Sequence, residues 1–223
     1  YVYPDTDSLS SALGMTSAEW AAGEARPEIG VSMVSTASNG NGKQDLERQI
    51  PHELTHILEY ALAGDGYALA PKWLLEGLAT LAENNQSQSD QRVLQDAHRD
   101  GELLPLHELC SSFPPGYTQS ALAYAESVSF VRYLQDKYGN ASLITLLENS
   151  NKSLDCNQIL QSTYGKDLTT LESEWIDATF LLSRANHSAN EYWLLLLIIP
   201  VVLLSLWRIK HHGSGSQEGR LQK

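Results

Sequence analysis

Positive charge is scarce in this chain. Its 223 residues hold 15 Lys and Arg against 27 Asp and Glu, a formal net charge of −12. No basic stripe exists to displace counterions from phosphate, which excludes nucleic acid as the expected partner. Cysteine is nearly absent: Cys110 and Cys156 are the only two, so they form one bridge or stay as two buried thiols. No repeat with a period of roughly 20–50 residues is present. The chain opens on Tyr1 without a charged, apolar and small-residue leader pattern, so an upstream segment is expected to have been removed. Disorder is excluded as well, because 42% of the residues are hydrophobic and 19% are charged.

The few bases are unevenly spread. Residues 1–191 carry 26 acids and 11 bases, a net of −15, whereas Arg208, Lys210, Arg220 and Lys223 against Glu218 give the tail +3. Between these stretches lies an uncharged and strongly apolar run, Tyr192 to Trp207, of 16 residues. That falls just short of the roughly 17–25 residues of a spanning helix. Ile209 extends the apolar stretch and Arg208 and Lys210 can snorkel, so 192–209 is expected to cross a bilayer. Tyr192, Trp193 and Trp207 stand at its ends, as in an aromatic belt, and Pro200 is tolerated within membrane helices. The competing reading is a buried core helix.

Bases remain on the cytoplasmic side. The expected organisation is therefore an extracytoplasmic domain over 1–183, cut short at its N-terminus if a segment is missing, a juxtamembrane spacer over 184–191, a transmembrane helix over 192–209 and a basic cytoplasmic tail over 210–223. The implied location is the plasma membrane, single-pass, with the lipid bilayer as a partner. An oxidising compartment permits Cys110 and Cys156 to pair.

Tyr1–Tyr3 is a short β-prone run, and Ile29–Ser35 alternates between turn formers as a strand does. Asp45 to Ala63 has helical periodicity, with Leu46, Ile50, Leu54, Ile57, Leu58, Ala61 and Leu62 sharing a broad stripe. Pro51 predicts either a kink or a fresh helix start there. Trp73–Asn84 and Ser120–Tyr138 follow as helices, Val93–Leu104 is mixed, and shorter helices are predicted over Ser142–Glu148, Leu154–Tyr164 and Leu168–Ser183. The fold class is α+β, mainly helical, with a small N-terminal sheet.

Residues 52–56 read His52-Glu53-Leu54-Thr55-His56. Positions i and i+4 share one face of a helix, so His52 and His56 can offer imidazole nitrogens to one metal, with Glu53 beside its open position. A catalytic zinc needs a third protein ligand. Glu76, 20 residues beyond His56 in Trp73-Leu74-Leu75-Glu76-Gly77-Leu78-Ala79, is the best candidate, because a turn returns its helix against the first. Gly77 and Ala79 leave room for close packing. Glu59 points away from a metal held between the two imidazoles, and Glu83 and His107 have no supporting pattern. Thr80 and Glu83 are alternatives as supports for the histidines. His98, His107 and His187 lack spacing partners, and His211 and His212 adjoin the basic tail.

These two motifs resemble those of the gluzincin metallopeptidases, HExxH followed by a W-L-x-E-G-x-A helix, and are particularly similar to compact thermolysin-like domains related to the membrane alanyl aminopeptidases. The similarity covers approximately residues 30–140 and extends to Tyr124, Ser127 and Phe130-Val131-Arg132-Tyr133-Leu134. It implies a zincin-like peptidase domain with a Zn²⁺ cofactor held by His52, His56 and Glu76, Glu53 as the general base, and a peptide or protein substrate. It also implies a Tyr that stabilises the oxyanion, with Tyr124 the best match and Tyr117 behind it; the alternative for Tyr124 is helix packing. A strand near Gly30-Val31-Ser32-Met33 would pair with extended substrate. No G-x-M-E-N motif is present, so aminopeptidase specificity does not follow. The alternative to a membrane-anchored zinc peptidase is a non-catalytic, zinc-stabilised scaffold on a membrane stalk.

Overall fold

A computed structural model describes residues 1–14, 23–36, 42–83, 88–150, 152 and 155–181. The chain divides into two compact units, Tyr1–Ile176 and Asp177–Lys223. Of the second, the described part is a π-helical stretch, Asp177–Leu181. The expected span 192–209, with its spacer and tail, lies outside the described residues. Among the described residues no helix is long and apolar enough to cross a membrane.

The first unit begins with a three-stranded sheet in the order β1-β3-β2. Strand β1 (Val2–Tyr3) runs parallel to β3 (Val31–Ser35), and β2 (Gly23–Arg26) runs antiparallel to it, with Gly23 opposite Val34 and Arg26 opposite Val31. Helix α1 (Thr6–Leu13) connects into this sheet; Asp5 caps it by accepting a hydrogen bond from Ser8 N at 2.7 Å. The expected strand over 29–35 starts later, because Pro27–Ile29 forms a 3₁₀ turn closed by Gly30 at φ 64°. That left-handed conformation favours glycine. Strand β2 had no alternating signature, and α4 (Gln88–Asp100) replaces a stretch that reads as mixed.

Helix α2 (Gly42–Ala63) continues through Pro51, with no fresh start there. The Thr55 hydroxyl donates to the Pro51 carbonyl at 2.8 Å. The apolar stripe of α2 is not the face it buries. Ile50, Leu54, Leu58 and Leu62 are exposed, while Gln49, Glu53, His56, Glu59 and Ala63 are buried. The reason is positional: the opposite arc of the helix packs against β2, β3 and α3 (Lys72–Ala82), and the polar residues occupy that arc.

The apolar core is built on α3, α5 (Tyr117–Tyr138), α6 (Asn140–Ser150), α7 (Cys156–Tyr164) and α8 (Leu168–Ile176). At its centre the fully buried rings of Trp73, Phe130 and Trp175 meet edge to face, with Phe130 4.8 Å from Trp73 and 5.8 Å from Trp175. Gly77 lets α3 approach α5 closely, since a Cβ there would lie 2.7 Å from the Ser127 carbonyl oxygen. The two cysteines are bridged. The Cys110–Cys156 disulfide ties the turn before α5 to the start of α7, and Trp73 Nε1 donates to Cys156 Sγ at 3.4 Å.

Candidate metal centre

Helix α2 presents His52 and His56 one turn apart on its inward arc, and α3 brings Glu76 to them. Glu76 Oε2 lies 3.4 Å from His52 Nε2 and 3.9 Å from His56 Nε2. One ligand atom from each of the three residues falls within 4.8 Å of the other two, with His56 and Glu76 buried. The imidazole rings meet nearly perpendicular, 84° apart with centroids at 5.0 Å.

Each imidazole is held from behind by a carboxylate. His52 Nδ1 lies 2.8 Å from Glu83 Oε1, and His56 Nδ1 lies 2.8 Å from Glu59 Oε2. With each Nδ1–H donating to its carboxylate, Nε2 is the ring nitrogen turned toward Glu76 and the one that a metal would take in place of a proton. Glu76 has its own partner: Lys72 Nζ holds Oε1 at 2.6 Å, one helical turn away, and leaves Oε2 facing the histidines. Arg48 Nε lies 3.7 Å from Glu83 Oε2.

The pocket's field favours a cation. Burial acts against charge on His52, yet hydrogen bonds to Glu76 and Glu83 and the charges of Glu76 and Glu53 outweigh it and carry the imidazole up to about 10. Burial would also raise Glu76, but the hydrogen bond from His52 and the Lys72 ammonium hold it down at about 2. Glu53, 6% exposed, is pushed by burial up to about 7. Two imidazole nitrogens and one ionised carboxylate oxygen, in a site that stabilises positive charge, suit a divalent metal ion.

Tyr124 on α5 completes the rim. Its ring centroid is 6.4 Å from that of His52 and 5.0 Å from that of Phe113. Burial, then the charge of Glu76, pushes its hydroxyl well above the ordinary tyrosine value. Tyr117 is 76% exposed at the start of α5. His98 and His107 are exposed, and His107 takes no part in the His52, His56 and Glu76 group.

A family model described as the Peptidase MA superfamily matches residues 1–181. The chain belongs to that superfamily. No curated protein and no solved structure matches it. A member of the Peptidase MA superfamily has a zincin-like metallopeptidase domain, and the observed small sheet followed by helices fits that α+β class. Membership implies a peptide or protein substrate, and with the three convergent donors it indicates a metal cofactor.

Sequence reasoning missed several supports of this Peptidase MA site. Glu59 is no ligand candidate, yet it is the partner of His56; its spacing, three residues after His56, was the available signal. Lys72 was legible in the same way, four residues before Glu76. Glu83, one of two alternatives, is the partner of His52, whereas the buried Thr80 hydroxyl makes no hydrogen bond. Gly23 had no local signature at all.

Proposed function

We propose that this chain is a gluzincin-type zinc peptidase, anchored in the plasma membrane with its catalytic domain outside the cytoplasm. The observation that carries the enzyme reading is the convergence of His52 Nε2, His56 Nε2 and Glu76 Oε2 beside a buried Glu53. Two imidazoles and a carboxylate are the ligand set of thermolysin-like catalytic zinc sites. The anchoring reading rests on the apolar run over 192–209 and the basic residues beyond it.

Bound there, zinc supplies Lewis acidity and a water of lowered pKa. Glu53 takes the proton of the attacking water and passes it to the leaving amine. Tyr124 donates its hydroxyl to the developing oxyanion. Strand β3 cannot receive an extended substrate, because β1 and β2 already occupy both its edges. The outer edge of β2, whose Gly23 touches Glu53, takes the substrate backbone instead.

The test uses membranes from cells expressing the full chain, washed with carbonate, and a peptide library. Wild-type membranes are expected to bind zinc and cut peptides. Glu53→Gln should keep zinc and lose about 10²–10⁴-fold in kcat. Zinc binding without cleavage in the wild type would leave a zinc-stabilised scaffold. Activity released by carbonate would remove the anchor while leaving the peptidase.

A further inference from the structure

Gly23 and Gly77 are set apart by what surrounds them. Gly14, Gly30 and Gly101 have left-handed backbones, at φ 70°, 64° and 74°, and open space where a side chain would stand. Their identity follows from conformation. Gly23 lies in a β-strand and is not among the positive-φ glycines, so any residue could adopt its backbone. What it lacks is space. A Cβ at position 23 would lie 2.4 Å from Glu53 Oε1 and 2.9 Å from both Glu53 Cδ and Cγ, far inside the roughly 3.5–4.0 Å of an ordinary carbon contact.

At Gly77 a Cβ would also meet backbone, the Ser127 carbonyl oxygen at 2.7 Å. At Gly23 the three nearest atoms all belong to the end of one side chain, that of Glu53. The strand cannot easily retreat, because β2 is paired with β3 along its whole length and Gly23 lies opposite the buried Val34. The flexible partner in the clash is the carboxylate.

We propose that Gly23 is a positioning residue for the reaction: by presenting no side chain, it keeps the inner face of β2 open for the Glu53 carboxylate, and any larger residue there swings the base away from the attacking water. The inference rests on the reading of Glu53 as the base. It assigns Gly23 no contact with the metal or its three candidate ligands, so metal binding and catalysis should separate in its variants.

The experiment is a cycle of Gly23→Ala, Glu53→Asp and the double variant in the full chain. It measures zinc content, the zinc-dependent rise in Tm, and kcat and KM on a peptide substrate. Gly23→Ala should retain zinc and its Tm shift, keep KM, and lose about 10²-fold in kcat, the cost of displacing a catalytic group by about 1 Å. Glu53→Asp shortens the base by one methylene. Introduced alone, it should lower kcat; added to Gly23→Ala, it should restore part of the lost kcat, a non-additivity expected only of groups in contact. The proposal is overturned if Gly23→Ala has wild-type kcat, if it loses zinc or stability in step with kcat, or if the two substitutions act additively. An active Glu53→Gln variant would instead remove the base reading; an inactive Glu53→Gln beside a fully active Gly23→Ala removes this inference alone.

Discussion

Helices α2 and α3 supply the three candidate metal donors, but they are held in the fold by opposite kinds of side chain. On α3 the buried positions are Trp73, Leu74, Leu75, Gly77 and Ala79, with Glu76 the one carboxylate among them. On α2 the buried arc is Gln49, Glu53, His56 and Glu59, ending at Ala63, and leucines face outward. Burying apolar surface stabilises by about 25 cal/mol per Å². Burying polar groups costs free energy unless each is hydrogen-bonded, which is why His52 and His56 each carry a carboxylate partner. Helix α3 is therefore the anchor that fixes the site, and α2 is held by pairings that serve the site itself. A helix that uses its inward face for chemistry has little of it left for the core.

The substitution that tests this contrast most severely is Trp73→Ala. It removes a fully buried ring packed on Phe130 and should cost about 3–5 kcal/mol in urea or thermal unfolding. A loss under about 1 kcal/mol would mean that α3 is not the anchor. Gly77→Ala is expected to cost about 1–3 kcal/mol by the same measurement, because its methyl meets the Ser127 backbone and forces α3 away from α5. Leu58→Ser on the outward stripe should change stability by no more than about 0.5 kcal/mol, since Leu58 is 63% exposed. A large effect there would show that the stripe of α2 is covered and would undo the contrast.

The same contrast explains what could be read in advance. On α3 the apolar residues of Trp73-Leu74-Leu75 are the buried ones, so composition and burial agree and the helix was read almost to its ends. On α2, Ile50, Leu54, Leu58 and Leu62 correctly indicated a helix, but that stripe is exposed and the inward face carries Glu53 and His56. Strand β2 has only four residues, Gly-Glu-Ala-Arg, and no alternation, so nothing local separated it from loop. It exists because β3 offers it a partner. The disulfide was undecidable for a similar reason. Cys110 and Cys156 are 46 residues apart, and only the packing of α7 near Trp73 brings them together.

By itself, the sequence determined the donor types and their helical spacing, because periodicity along one helix is a local property of the backbone. His52, Glu53 and His56 were bound to share one face of α2, and Glu76 to stand on a separate helix. The tertiary structure decided which face of α2 turned inward, that Glu59 and Glu83 would brace the imidazoles, that Lys72 would leave Glu76 one oxygen for a metal, and that the space beside Glu53 would be left by Gly23. These outcomes depend on side-chain rotamers and on contacts between residues far apart in the chain, such as His52 and Glu83, 31 positions apart. Such contacts form only when distant segments pack against each other.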